Sequence, residues 1–258
     1  MPATGDELAR LGESLNRMLG RLHEAVERER RFVGDASHEL RTPLANLKAE
    51  LELALRRDRT PDELIGALRS AAEETDRLTS LAEDLLVLAR SEGSRLPVRR
   101  EALDVARLVR ETVASFAGRA LELGVSVATT GADNELGAEL DPARVRQALG
   151  NVIDNALRHT PRGGRVGVDL RVEGDALMIE VADTGSGFDP TFLERALEPF
   201  SRSDEARSRT HGGAGLGLAI VRAVADAHGG SVEAGNRPDG GASVTIRVPR
   251  AMEHETLT

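Results

Sequence analysis

The stretch TPDELIGALRSAAEETDRLTSLAEDLLVLA, residues 60–89, decides how the first part of this chain is built. Thr60, Pro61 and Glu63 supply a hydroxyl at the N-cap, a residue that lacks an N–H at the first helical position, and a carboxylate that reaches back: a capping box. Beyond it Leu64, Ala71, Leu78 and Leu85 recur every seven residues, with Leu68, Thr75, Ala82 and Ala89 four after each, which is a heptad seam. Upstream, Leu40, Leu44, Leu47, Leu51 and Leu55 recur at steps of three and four, and from Asp6 to Arg57 the only breakers are Gly12, Gly20, Gly34 and Pro43. The spacing therefore predicts a long helical hairpin turning at residues 57–60. Each helix has one apolar stripe to bury, and a second copy of the hairpin covers both most economically. A dimeric four-helix bundle, and so a homodimer, is the expectation.

Gly93 and Pro97 end the helical part, and residues 93–100 read as a linker. After it the period changes. A helix is expected from Asp104 to Leu123 and another from Asp141, with Pro142 at its first position, to Thr160. Val166, Val168, Leu170 and Val172 alternate with Gly167, Asp169 and Arg171, and Leu177, Ile179 and Val181 repeat the alternation, so strands follow. A helix from Leu216 to His228 and two strands around Val232 and Val244–Val248 complete an α+β two-layer sandwich. The chain thus reads as multidomain, a helical hairpin joined by the linker to the sandwich, with 251–258 a tail.

Composition narrows the chemistry. Lys+Arg at 34 against Asp+Glu at 43 gives a net charge of −9, and no basic run is interleaved with aromatics, so no nucleic-acid partner is expected. Without cysteine there is no thiolate nucleophile and no cysteine-ligated metal. No run approaches the roughly 18 apolar residues of a membrane span, and no signal peptide opens the chain, so the sequence as written is expected to be soluble.

Four constellations could carry a reaction. His38 lies two residues from both Ala36 and Leu40, about 200° around the helix, which turns its imidazole away from the apolar stripe and toward water. A neutral imidazole there is a competent nucleophile, with Glu39 beside it. Pro43, costing about 3 kcal/mol in mid-helix, removes the partner of the Glu39 carbonyl. Asn151 and Asn155, spaced i, i+4, are either neutral oxygen ligands for a hard cation that carries phosphate, with Arg158 and His159 one turn on, or a pair of solvated amides. Asp183-Thr184-Gly185-Ser186-Gly187 follows a strand: a turn that admits a flat ligand to the carboxylate, or a tight turn with none. Gly212–Leu218 runs glycine-rich into a helix N-terminus, which offers amide N–H groups to an anion, yet it is neither a Walker A loop nor a dinucleotide fingerprint.

Taken in order, FVGDASHELRTPL (32–44), NVIDNALRHT (151–160), DTGSG (183–187), EPFSR (198–202) and GGAGLGLAIV (212–221) resemble the H, N, G1, F and G2 boxes of the sensor histidine kinases of two-component systems. GDELARLGESLNRML (5–19) resembles the closing helix of a HAMP relay. The resemblance implies a HAMP-like helix over 1–31, a dimerisation and histidine phosphotransfer domain over 32–92, and a gyrase/histidine kinase/MutL-type ATP-binding domain over 101–250. It implies ATP and Mg²⁺ as cofactors and a response regulator receiver domain as partner. It also implies a full-length protein anchored in the bacterial membrane upstream of this chain, with this part on the cytoplasmic side. His38 is then the phosphoacceptor, Glu39 its general base, and Thr42 the residue that orients water in a phosphatase reaction. Asn151 and Asn155 hold Mg²⁺, with Arg158 and His159 near the phosphates. Asp183 meets the adenine amino group, Gly185 and Gly187 give the ring room, and Gly213, Gly215, Leu216 and Gly217 flank the triphosphate. A lid over about 189–211 contains Phe200 and Arg202. A degenerate scaffold and an ATPase or serine kinase of the same fold are the alternatives.

Overall fold

The computed structural model describes residues 4–56, 60–93, 96–202 and 214–250, which fall into two units, Met1–Leu81 and Ala82–Thr258. In the first, α1 (Thr4–Arg56) runs unbroken through Pro43, and α2 (Pro61–Gly93) begins as its capping box requires. The Thr60 N–H donates to Glu63 Oε2 at 2.9 Å, and the Glu63 N–H reaches Thr60 Oγ1 at 3.4 Å. The Ser70 hydroxyl donates to the Glu50 carboxylate at 3.0 Å across the hairpin. Ala71 is buried and Leu47 and Leu78 half-buried, whereas Leu44, Leu51, Leu64 and Leu68 are exposed and Leu55 is 87 % exposed. One hairpin therefore covers only part of its own seams.

The second unit takes in the last turns of α2, where Val87 and Leu88 are buried. Beyond it come β1 (Glu101–Asp104), α3 (Val105–Ser115), α4 (Ala117–Leu123), β2 (Ser126–Thr130), β3 (Gly137–Leu140), α5 (Pro142–His159), β4 (Arg165–Glu173), β5 (Ala176–Asp183), α6 (Pro190–Leu193), α7 (Gly217–Ala227), β6 (Ser231–Asn236) and β7 (Ala242–Pro249). Five strands form one sheet in the order β2-β4-β5-β7-β6, with only β2–β4 parallel, and β1 pairs with β3 in a separate antiparallel ribbon. Val168 lies opposite Val181, and Val181 opposite Val244, so the alternating apolar residues of β4, β5 and β7 share one buried face. Val109, Leu149, Ile153, Ile220 and Val221 from α3, α5 and α7 are fully buried in the same core. Each such side chain contributes about 1.5–3 kcal/mol by leaving water. On the other face Arg171 is ion-paired with Asp169, Glu173 and Glu180. The α+β two-layer sandwich is as the alternation predicts.

Two local expectations change. The single helix expected over 104–123 is two, α3 and α4, with the break at Phe116, whose N–H bonds to the Val113 carbonyl at 3.0 Å. The Phe116 ring lies 3.7 Å from where a Cβ on Gly150 would stand, so the turn seats an aromatic on α5 where α5 has no side chain. The β1–β3 ribbon was not expected, since its strands have four residues each and pair across more than thirty.

Asp84, on the α2 segment of the second unit, accepts from Gln147 Nε2 of α5 at 3.2 Å, and Gln147 Oε1 accepts from Arg144 at 3.0 Å. Burial pushes this carboxyl from 3.8 up to about 6; the Gln147 hydrogen bond opposes that rise and Glu83 adds to it. A carboxyl whose folded pKa is raised contributes stability below its ordinary pKa, and this is lost as pH climbs through about 6. Asp84→Asn is expected to raise the melting temperature of the chain at pH 7.5 by no more than about 2–4 °C, because the site is partly wet, and to leave it unchanged at pH 4. Thermal denaturation followed by circular dichroism at both pH values checks this, and equal shifts at the two would contradict it.

Candidate functional site

The period-2 alternation that buries Leu177, Ile179 and Val181 carries Asp183 to the same side at the end of β5, so its carboxylate is 5 % exposed. Oδ1 accepts from the Gly185 N–H at 2.8 Å and the Ala242 N–H at 3.1 Å. Oδ2 receives no hydrogen bond among the described residues, so the group keeps one acceptor for a ligand. At its two glycines the turn after it has no space for a Cβ. A Cβ on Gly185 would stand 2.3 Å from the His159 carbonyl oxygen, and Gly187, at φ +76°, would place one 2.7 Å from Asn236 Oδ1. Asn236 in turn clamps the next peptide: its Oδ1 accepts from the Phe188 N–H at 2.6 Å and its Nδ2 donates to the Phe188 carbonyl at 2.8 Å.

The asparagine pair and the glycine-rich stretch are joined to this turn through α5 and α7. Asn151 Nδ2 donates to the Gly217 carbonyl at 3.5 Å, which sets α5 against the first residue of α7 and leaves the Asn151 carboxamide oxygen available. Asn155, half-buried one turn on, makes no side-chain hydrogen bond among the described residues. The two carboxamide oxygens are the donor type a hard cation takes. Arg158 is held elsewhere: its Nε lies 2.7 Å from Asp154, which also pairs with Arg119 at 3.0 Å, so its guanidinium must leave that partner to meet an anion. His159 is exposed and contributes its carbonyl beneath Gly185.

Ahead of α7, Gly215 has φ +74°, and a Cβ there would stand 2.7 Å from the Ser201 carbonyl oxygen and 3.0 Å from the Arg202 side chain. Phe200, Ser201 and Arg202 thus pack on the glycine loop, and Phe200 is the one non-glycine residue at positive φ, +60°, among the described residues. Such a conformation costs of order 1–3 kcal/mol and marks a place that the surroundings hold in strain. Leu216 is buried and can offer a ligand only its backbone. Gly213 and the part of the expected lid from 203 to 211 lie outside the described residues.

In the first unit His38 is exposed on α1, as its helical phase predicts, with Glu39 half-buried beside it. The Thr42 hydroxyl donates to the His38 carbonyl at 3.5 Å, one turn back. No shape of this unit places a metal cluster near the ring: among the described residues no three His, Cys, Asp or Glu side chains group as metal ligands.

Comparison with known proteins follows the same division. Residues 28–94 match the His Kinase A (phospho-acceptor) domain, and residues 140–252 the histidine kinase-, DNA gyrase B- and HSP90-like ATPase family. The chain is 36 % identical over 235 residues to the sensor protein IrlS of Burkholderia pseudomallei, covering 91 % of this chain and 50 % of that protein. The chain belongs to the sensor histidine kinase family. Among solved structures, full-length ShkA in complex with AMPPNP matches with a TM-score of 0.64 and 30 % identity, over 85 % of this chain and 45 % of ShkA. The histidine kinase ThkA in complex with the response regulator TrrA shares the fold at 20 % identity and a TM-score of 0.66, over 89 % of this chain and 66 % of that one. This histidine kinase chain spans about half the length of the curated relatives it matches. No helix among its described residues is long and apolar enough to cross a membrane.

Sequence reasoning about this kinase-family chain finds Asp183 and its glycines but misses the Ala242 N–H and Asn236. The inward phase of Asp183 was readable by extending the alternation of β5 by one step. Nothing local marks Asn236, which meets the turn from 48 residues away. Gly185→Ala is expected to weaken nucleotide binding by at least about tenfold, because the new methyl must displace the His159 main chain or the Asp183 carboxylate. Equilibrium binding of ADP with unfolding measured alongside checks it; affinity within twofold of wild type would contradict it.

Proposed function

We propose that this chain uses ATP to phosphorylate His38 and passes the phosphoryl group to an aspartate of a response regulator receiver domain. The observation that supports the nucleotide reading most is the buried Asp183 carboxylate, with Oδ1 committed to two backbone N–H groups and Oδ2 left for a ligand donor. In this reading the adenine amino group donates to Asp183, and Gly185 and Gly187 let the flat ring approach. The triphosphate lies toward the amide N–H groups of Gly213, Gly215, Leu216 and Gly217, where the start of α7 adds the positive end of its dipole. Mg²⁺, when bound, neutralises phosphate oxygens, and the carboxamides of Asn151 and Asn155 are suited to hold it. Arg158, His159, Phe200 and Arg202 border the same region, the last two at the root of a lid.

The transfer needs little covalent work from the protein. A ring nitrogen of His38 attacks the γ-phosphorus as the bond to the β–γ bridging oxygen breaks, ADP leaves, and the ring proton passes to Glu39. With Glu39 taking the Nδ1 proton, Nε2 is the attacking atom. The receiver's aspartate carboxylate then displaces the imidazole and takes the phosphoryl group. For the reverse traffic, Thr42 orients a water against the partner's phosphoaspartate, which gives the chain phosphatase activity. The exposed Leu44, Leu51, Leu55, Leu64 and Leu68 support a second copy of the hairpin as the partner that completes a four-helix bundle. The HAMP-like leading helix and the half-length match support anchoring of the full-length protein in the membrane upstream, with this part on its cytoplasmic side.

Incubation with γ-labelled ATP and Mg²⁺ tests the chemistry. Wild type is expected to acquire acid-labile, alkali-stable label, His38→Ala none, and Asp183→Asn about tenfold less at limiting ATP, as for loss of a charge-assisted hydrogen bond. Acid-stable label that persists in His38→Ala would refute the reading. Sedimentation equilibrium at micromolar concentration is expected to give a dimer, and a monomer there would refute the bundle.

A further inference from the structure

His228 caps the C-terminus of α7 and is 1 % exposed, yet it has no part in the chemistry above. Its Nδ1 lies 2.8 Å from the Val224 carbonyl, and its Nε2 lies 3.0 Å from the main-chain nitrogen of Asp141. A carbonyl only accepts and a peptide N–H only donates, so the ring is neutral, with its proton on Nδ1 and a bare lone pair on Nε2. Asp141 is the N-cap of α5: its Oδ1 accepts from the Ala143 and Arg144 N–H groups at 3.1 Å. Its Oδ2 accepts from the Arg99 N–H at 2.8 Å, and the Arg100 guanidinium donates to the Ala227 carbonyl at 3.2 Å. The segment that enters the domain is thereby bonded to the head of α5 and the tail of α7 at one junction.

Among the described residues that junction is one of two hydrogen-bonded ties between the helices. The other is Asn151 against Gly217. From Asp141 to Asn151, and from His228 back to Gly217, α5 and α7 each run about 15 Å at about 1.5 Å per residue. They are antiparallel rails of equal length, fixed at both ends, and the far end carries the asparagines and the glycine loop. We propose that His228 is a positioning residue for the nucleotide site, and that its bond to the Asp141 N–H is the tie through which the segment at 96–100 sets the spacing of α5 and α7. The proposal rests on the nucleotide reading above and extends it to the regulation of the same site.

Protonation of the ring opposes the tie directly, because Nε2–H would face the Asp141 N–H. The charged groups facing the ring are Arg100, from the segment before β1, which disfavours imidazolium, and Asp141, at the head of α5, which favours it. Burial outweighs both and holds the ring below the ordinary histidine range; the Val224 hydrogen bond acts the other way. A histidine with a depressed folded pKa contributes its full stability above about pH 6.5 and loses it as pH falls through the folded value. Acid therefore slackens the rails.

Two amides separate positioning from mere filling. Glutamine at 228 places an acceptor near the Nε2 position and does not titrate, whereas asparagine keeps only the donor near Nδ1. ADP binding by the full 258-residue chain is measured by calorimetry with Mg²⁺ from pH 8 to pH 5, with circular dichroism to establish folding at each point. At pH 8 His228→Gln is expected to bind within about twofold of wild type and His228→Asn about five- to tenfold more weakly, as for loss of one buried acceptor. The titration of ADP itself cancels in the ratio of His228→Gln to wild type. Equal affinities for the two variants at pH 8, or binding by a folded His228→Gln more than about fivefold weaker than wild type at that pH, overturn the proposal, the second even if His228→Asn is too unstable to measure. Failure of wild type to bind ADP at pH 8 overturns the nucleotide reading itself, and is recognised because it needs no variant.

Discussion

The inward-facing row of β5 ends on a carboxylate, and the site depends on that placement. Leu177, Ile179 and Val181 are buried on the face that packs on α5, and Asp183 continues their phase, so a charged group is carried to the edge of an apolar core. A buried carboxylate persists only where hydrogen bonds replace water, and here the backbone supplies them from the Gly185 and Ala242 N–H groups. Those two donors require the chain to turn sharply after β5 and to bring β7 alongside. The same crowding leaves no space for a Cβ at Gly241, where one would stand 2.0 Å from the Asp183 carbonyl oxygen. The glycines follow from the carboxylate, not the reverse.

Around that point the unit is organised as two antiparallel helices laid on a sheet whose outer face is polar. Because Asp141 and Asn151 of α5 are bonded to His228 and Gly217 at the two ends of α7, the asparagines of one helix and the start of the other cannot drift independently. Phosphoryl chemistry depends on position and charge neutralisation more than on any single reactive group, so a rigid pair of helices suits it. The strained Phe200 is seated on Gly215, at the edge of this frame.

The helical hairpin has a different economy. It has apolar residues on more faces than two helices bury, and Leu55 at 87 % exposure is an extreme. The proposed second copy would remove that surface from water and tie the stability of the first unit to its concentration. His38 lies exposed in the opposite phase of the same helix, as the proposed phosphoacceptor has to be.

How far the residues could be read in advance follows from the range of the interactions. The capping box at Thr60 and Glu63, the N-cap at Asp141, the i, i+4 pairing of Asn151 and Asn155 and the exposure of His38 are set within a turn or two of chain, by periodicity and by backbone groups that need partners. These the sequence by itself determined, together with the strands whose alternation is strict. The break at Phe116, the β1–β3 ribbon, the Ala242 N–H on Asp183, the Asn236 clamp, the sharing of Asp154 between Arg158 and Arg119, and the His228–Asp141 tie were decided by tertiary structure. The Arg158–Asp154 pair was within reach of i, i+4 reasoning, but Arg119 comes from another helix and no local pattern records it. Most of these contacts join residues tens of positions apart. The free energy of such a pair exists only once the core has brought its members together, and before that each is an ordinary polar residue in water.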